Sequence, residues 1–274
     1  KAVFTTGQTV FKAGSNYIPE RLAEKISALA TATPDALVST ITARRRQMAD
    51  DGLTLVIGLR TGNRYLVNQA EAYVALARHI ALDHQRPVIL IFDGHNIGSS
   101  GKAIHSAAHL RKVDRLSDPN GELVEIAEEK SVVAAVETAL ADLISTGAVT
   151  IFSTVGLPAQ TSVATTALCD GVVAHWGAGL AKYRWISNKP TLIFTSADAR
   201  AKDDFLIYDQ TSVRQNARPS SYVSADIIRD VDDGTMQAGA ARNRGFLSNF
   251  SVDPDRFAHE CIALIDQWPM ERSL

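Results

Sequence analysis

Apolar residues along this chain fall into short unbroken runs, separated by longer stretches where they return every three or four positions. The runs are Thr54 to Leu59, Pro87 to Phe92, Val149 to Ser153, Gly171 to Ala174 and Thr191 to Phe194. Four to six residues without polar alternation predict strands covered on both faces. Between them, Asn68 to His84 places Tyr73, Val74, Ala77 and Ile80 on one helical face. Glu128 to Ser145 does the same with Val132, Val133, Val136, Leu140, Leu143 and Ile144, and further helices are predicted from about Pro158 and over Ala178 to Ile186. Strand and helix alternating at this spacing predict an α/β fold, a doubly wound and mostly parallel Rossmann-like sheet.

The flanks read differently. Residues 1–52 form a separate N-terminal β/helical region, with β-forming and turn residues from Val3 to Asn16 and then two helices. One helix starts at Pro19 and carries Leu22, Ile26 and Leu29. The other starts near Pro34 and carries Leu37, Ile41 and Met48, with Arg44, Arg45 and Arg46 turned away. The arginine triplet reads either as a phosphate patch or as a solvated helix end. Residues 53–274 form the Rossmann-like domain, closed by a helix over 253–268 bearing Phe257, Cys261, Leu264, Ile265 and Trp268. Inside it, 197–250 is rich in Asp, Arg, Ser and Gly, with little periodicity beyond Tyr222 to Ile228.

Composition narrows the classes. With 274 residues, 46% of them hydrophobic, the chain can build a core without staples. A formal net charge of −2 gives no broad basic surface for nucleic acid. Cys169 and Cys261 form neither a zinc nor a disulfide pattern, which fits a reducing, cytoplasmic setting. No apolar run approaches the ~20 residues of a transmembrane helix. There is no signal peptide, and the chain opens at Lys1 without a Met, as a piece trimmed from something longer would.

In an open parallel sheet, ligands bind beyond the carboxyl ends of the strands, so strand-to-helix junctions carry the candidate chemistry. The first junction holds Arg60 and Arg64 around Gly62; guanidinium forks suit phosphate oxygens, and an ordinary polar turn is the alternative. It is neither a Walker loop nor a GxGxxG turn. The second is Asp93-Gly94-His95, which leads into a glycine- and serine-rich loop followed by His105 and His109. The i, i+4 histidine pair could chelate a metal, but no third ligand stands near it. The third, Ser153 to Pro158, offers small residues for a base or ribose. At the fourth, an apolar strand runs into His175-Trp176-Gly177-Ala178-Gly179, with Lys182 one turn on. Glycines allow close approach there, and a helix start offers N–H groups to a diphosphate.

A strand ending in His-x-Gly-Ala-Gly-Leu, followed by a short helix and the strand Pro190 to Thr195, resembles the donor half of GT-B glycosyltransferases. GT61-like and fucosyltransferase-like members are the nearest in motif. Arg60, Arg64 and Asn68 stand where such members carry Arg-x-x-x-Arg and an Asn before a helix. The likeness covers about residues 53–195 and the closing helix, and Trp176 interrupts the usual His-Gly pair. The resemblance implies transfer of a sugar from a nucleotide-sugar donor to a glycan or other hydroxyl acceptor. The donor would be held by Arg60, Arg64, Asn68, His175, Gly177, Ala178, Gly179 and Lys182. No metal or other cofactor is expected, since cationic side chains take its place and no Asp-x-Asp motif closes a strand; Asp232-Asp233 lies in the irregular region.

The base for the acceptor hydroxyl stays open among His95, Asp93 and His105, or belongs to another domain. GT-B enzymes pair two Rossmann-like domains, and only one fits here, so a second domain or subunit is implied. The alternative is a non-catalytic, GT-like module that binds nucleotide or glycan. Hydride transfer lacks its glycine fingerprint, and an α/β-hydrolase lacks its Gly-x-Ser-x-Gly.

Overall fold

The computed structural model describes residues 18–61, 64–97, 124–201, 205–209, 214, 216–231 and 248–269. Six strands form one sheet: β1 (Leu53–Gly58), β2 (Val88–Asp93), β3 (Val149–Ser153), β4 (Gly171–His175), β5 (Thr191–Phe194) and β6 (Ser220–Tyr222). Their spatial order is β3-β2-β1-β4-β5-β6, and every neighbouring pair is parallel. The chain builds outward from β1 to β3, returns to lay β4 beside β1, and builds outward the other way. Loops leaving β1 and β4 therefore diverge, and a crevice opens at their carboxyl ends. The doubly wound, Rossmann-like sheet is what the apolar runs predict.

The helices are α1 (Glu20–Ala32), α2 (Ala36–Gln47), α3 (Gln69–Arg78), α4 (Val124–Ala139), α5 (Ala141–Ser145), α6 (Ala159–Leu168), α7 (Ala197–Arg200) and α8 (Pro254–Ile265). Strand side chains alternate between two cores. Leu55, Ile57, Leu90, Phe92, Val173 and Phe194 pack with Tyr73, Leu76, Val136 and Phe257 from α3, α4 and α8. Val56, Ile89, Ile91, Val172 and Ile193 pack on the opposite side with Ile41 and Tyr183. Both faces are covered, which is why the runs show no polar alternation. Among the described residues, no helix is long and apolar enough to cross a membrane.

Several expectations are corrected. On α1 the buried positions are Ala23 and Ala30, while Leu22 and Leu29 are 49% and 72% exposed. Ala30 meets Val163 and Ala164 of α6, so small residues face the contact and the leucine stripe is left outside. Arg44 and Arg45 are neither a phosphate patch nor solvated. Arg44 donates to the Thr150 hydroxyl (2.9 Å) and the Gly147 carbonyl (2.9 Å). Arg45 binds the Leu168 carbonyl and the Asp170 carboxylate, so the two clasp α2 to the amino ends of β3 and β4.

The long helix over 128–145 breaks at Leu140 into α4 and α5, and α3 runs on into a π-helical turn, His79–Asp83. The irregular stretch contributes β6 to the sheet edge. It also supplies an antiparallel pair, β7 (Ile228–Val231) and β8 (Asn249–Val252). These strands are three or four residues long and mostly polar, below what a periodicity can register.

Candidate functional site

Asp93 ends β2 in the same parity as Ile89 and Ile91, which turns its side chain toward α6. It is 1% exposed, and four donors saturate it. One oxygen accepts from Thr154 (2.6 Å) and Ser162 (2.7 Å); the other accepts from Tyr183 (2.5 Å) and pairs with the Lys182 ammonium (2.7 Å). Burial by itself would raise its pKa. The Lys182 charge and the bonds from Lys182, Thr154 and Tyr183 outweigh that and hold it below the ordinary carboxylate value. A carboxylate has about four lone-pair sites, so none remains for a substrate proton.

The helix read over Ala178 to Ile186 is shorter than expected. Three single-turn bonds over Gly177 to Lys182 lead into a π-helical turn, Lys182–Ile186. Lys182 and Tyr183, though adjacent, thereby reach the same Asp93 oxygen. Lys182 also donates to the Asn96 side chain (2.8 Å). Its ammonium thus sits at the end of β2.

His95 follows Gly94 at the same strand end. Its backbone N–H donates to Glu129 Oε2 (2.8 Å), and its Nδ1 lies 2.8 Å from Glu129 Oε1. Glu129 is fully buried, whereas the His95 side chain is 41% exposed. The Glu129 hydrogen bond raises the imidazole's pKa, against opposing contributions from burial and from the Arg60 charge.

Across the crevice, β1 ends at Gly58 and the loop delivers a half-buried Arg60. Its carbonyl accepts from Gln69 of α3 (3.3 Å). A Cβ on Gly177 would lie 2.4 Å from Arg60 Nη1, so the glycine is what lets the guanidinium lie against the turn after β4. Burial, and then the nearby Arg64 charge, lowers the Arg60 pKa to about 10, which leaves it a cation at neutral pH. Arg64 adopts a left-handed backbone (φ 51°), a conformation that costs about 1–3 kcal/mol and clusters at functional sites. Its guanidinium lies 5.3 Å from the centre of the Trp176 ring. Trp176, the interruption in the motif, is buried and donates to the Phe205 carbonyl (2.8 Å).

His175 is 6% exposed and its ring lies 4.4 Å from that of Phe194 at a tilt of 52°, with Phe250 of β8 beyond. Its Nε2 lies 3.3 Å from the Tyr73 hydroxyl, and Nδ1 has no partner among the described residues. Burial, then Arg60, depresses its pKa well below 6.5, so it is a neutral imidazole. Between 6.5 and the depressed value, the unfolded chain binds a proton that the folded one refuses. This residue is therefore expected to remove up to about 1.4 kcal/mol of stability per pH unit on acidification below about 6.5. Urea unfolding at pH 7 and pH 5, wild type against His175→Gln, checks it. Equal pH responses in the two would contradict a buried neutral imidazole.

The structure thus gathers Arg60, Arg64, His175 and Gly177 at the mouth of β1 and β4, with Ala178 and Gly179 exposed on the turn. Asp93, His95 and Lys182 gather at the end of β2. Asn68 serves elsewhere: its amide bonds to the Val252 carbonyl (2.8 Å) and N–H (3.3 Å) and pins β8. His105, His109, Gly62 and Asp232-Asp233 lie outside the described residues. The sequence reading takes Tyr73 only as a core position and misses Glu129. For Glu129 a signal exists, because Ile126, Glu129, Val133, Val136 and Leu140 are spaced as one buried stripe. Among the described residues, no group of three His, Cys, Asp or Glu side chains is arranged to hold a metal ion.

No protein-family model matches the sequence, and no curated protein matches it. Solved structures with a similar course of the chain include the E. coli ADP-heptose LPS heptosyltransferase II. It is 11% identical with a TM-score of 0.43, over 86% of this chain and 53% of that one. A UDP-forming α,α-trehalose-phosphate synthase from Burkholderia xenovorans is 8% identical with a TM-score of 0.45, over 92% and 43%. The UDP-GlcNAc 2-epimerase of Methanocaldococcus jannaschii is 9% identical with a TM-score of 0.42, over 92% and 48%. The chain spans about half the length of these structures. Likenesses this distant carry no argument about what the chain does; its fold is that of an open, parallel, Rossmann-like sheet with a charged crevice at the β1/β4 switch point.

Proposed function

We propose that the crevice binds the diphosphate of a nucleotide-sugar, and that the chain is the donor-binding half of a GT-B-type glycosyltransferase with GT61-like or fucosyltransferase-like motifs. One observation carries the reading. At the switch point, the Arg60 guanidinium lies against Gly177, at the start of a turn whose next two residues, Ala178 and Gly179, face solvent. A Cβ on Gly179 would meet nothing within 4 Å, so there is room for a ligand over that backbone. A cation held where charge develops is what departure of a nucleotide diphosphate requires.

In the reaction, an acceptor oxygen attacks the anomeric carbon. The bond from that carbon to the phosphate oxygen breaks, and the diphosphate keeps the electron pair. Arg60 and Arg64 hold the charge it gains, so the reading does not depend on a metal. The acceptor, a glycan or another hydroxyl compound, is bound with the help of a second domain or subunit.

Calorimetric titration with UDP-, GDP- and CMP-sugars tests the proposal. A UDP- or GDP-sugar is expected to bind and to be displaced by UDP or GDP, whereas a CMP-sugar, which carries a single phosphate, is expected to bind more weakly. Absence of binding by all three would overturn the donor-site assignment. Binding without hydrolysis or transfer to any glycan pool would leave a nucleotide-binding module instead.

A further inference from the structure

We infer that His95 and Glu129 form a proton-accepting dyad, in which Glu129 is a positioning residue that grips the histidine and presents its Nε2 to the acceptor hydroxyl. This rests on the glycosyl-transfer reading above.

Glu129 lies on the buried stripe of α4, where Ile126, Val133, Val136 and Leu140 are apolar. A carboxylate without exposure is costly unless paired, and the packing of α4 would be served by a leucine. Both of its oxygens are instead engaged by one residue, through the backbone N–H and Nδ1 of His95. That partner is itself 41% exposed, so the pair does not bind two buried surfaces together. What it does is orient an accessible ring.

The surroundings are shaped for this grip. A Cβ on Gly94 would lie 2.1 Å from Glu129 Oε2, so only glycine admits the carboxylate there. The His95 carbonyl accepts from the Gly156 N–H (2.9 Å), which fixes the backbone from the loop after β3. Glu129 can only accept, so Nδ1 carries the proton and Nε2 is the basic nitrogen. The charged groups felt by the ring are Glu129 and Glu125 from α4 and Arg60 from the β1 loop.

In the step, the acceptor O–H proton passes to Nε2 while the acceptor oxygen bonds to the anomeric carbon and the diphosphate leaves with its electron pair. The imidazolium formed faces the Glu129 carboxylate and later releases its proton to solvent.

The test combines donor binding, turnover of the UDP- or GDP-sugar that binds, and an NMR titration of the His95 ring. In the wild type the rate rises with pH along a limb that matches the His95 titration. Glu129→Gln is expected to move both the limb and the titration down together, because the neutral amide no longer favours the imidazolium. It lowers the plateau by about tenfold or more while donor affinity stays within about twofold. Glu129→Asp recovers part of the loss. Should Glu129→Gln not fold, His95→Gln, altered at a part-exposed position, is expected to abolish the limb and lower turnover by about 100-fold. Donor binding with an unmoved limb and titration in Glu129→Gln, or unchanged turnover in His95→Gln, overturns the dyad. If no donor binds the wild type, the glycosyl-transfer reading falls, and the dyad is judged by the titration alone.

Discussion

Asp93→Ala is expected to destabilise the fold by about 3–5 kcal/mol, the range for removing one member of a buried charged network. Four donors converge on this carboxylate: the Thr154 and Ser162 hydroxyls on one oxygen, and Tyr183 and Lys182 on the other. Truncation leaves all four facing a void, and the three hydroxyls are on residues the sheet buries. Lys182 is 20% exposed and can turn outward, which keeps the loss from being larger. Asp93→Asn keeps one acceptor oxygen but sets an NH2 group against two donors, so an intermediate loss follows. The network also has a pH signature. Because the folded carboxyl is held below its ordinary value, its contribution is complete above about pH 4 and is lost as pH falls through the lowered value. Asp93→Ala should therefore lose less than the wild type between pH 4 and pH 2. Urea unfolding across that range measures both effects. Full stability with lost turnover would instead return Asp93 to the role of a base.

The reason Asp93 reads as catalytic in the sequence, and as an anchor in the structure, is strand parity. A carboxylate at a strand end looks like a group presented to a ligand. One residue's shift, with β2 ending at Asp93 and not at Phe92, turns it into the core beside α6. Its partners Thr154, Ser162 and Tyr183 come from three other segments, and nothing local announces that they converge. The sheet itself was legible, because strands covered on both faces must be apolar throughout. The crevice residues Arg60, His175 and Gly177 were legible for a related reason: strand-to-helix junctions can be found without knowing strand order. Glu129 was hidden by its neighbours, since Glu125, Glu128 and Glu129 look together like a solvated first turn. Only the spacing to Val133 and Val136 separates it from them. The leucines of α1 mislead in the opposite sense, because a helix laid closely on α6 turns alanines inward. Hydrophobicity and burial part company wherever contact distance sets the choice.

Arg60→Met is expected to weaken binding of the preferred nucleotide-sugar by about 1.5–3 kcal/mol, roughly 10- to 150-fold, as loss of a charged hydrogen-bond donor does. Methionine retains the apolar stem, so the packing around the β1 loop persists and the charge is what disappears. The guanidinium lies against Gly177, and a second route to the same loss follows from that contact. Gly177→Ala would set a Cβ 2.4 Å from Nη1 and displace the cation without removing it, with added backbone strain because Gly177 holds a φ of 156°. Gly179→Ala asks a different question, for its Cβ points into open space and the free protein should hardly change. Weaker donor binding in Gly179→Ala would therefore report a ligand approaching that backbone. Arg60→Lys should restore little, since an ammonium lacks the fixed fork that matches phosphate oxygens. Removing Arg60 also lifts a charge that holds down the titration of both His95 and His175, so both imidazoles should titrate higher. Calorimetry on the four variants, with ring titrations on Arg60→Met, checks the set. If Arg60→Met binds donor as tightly as the wild type while both histidines move, the cation is where the structure places it and the diphosphate is not.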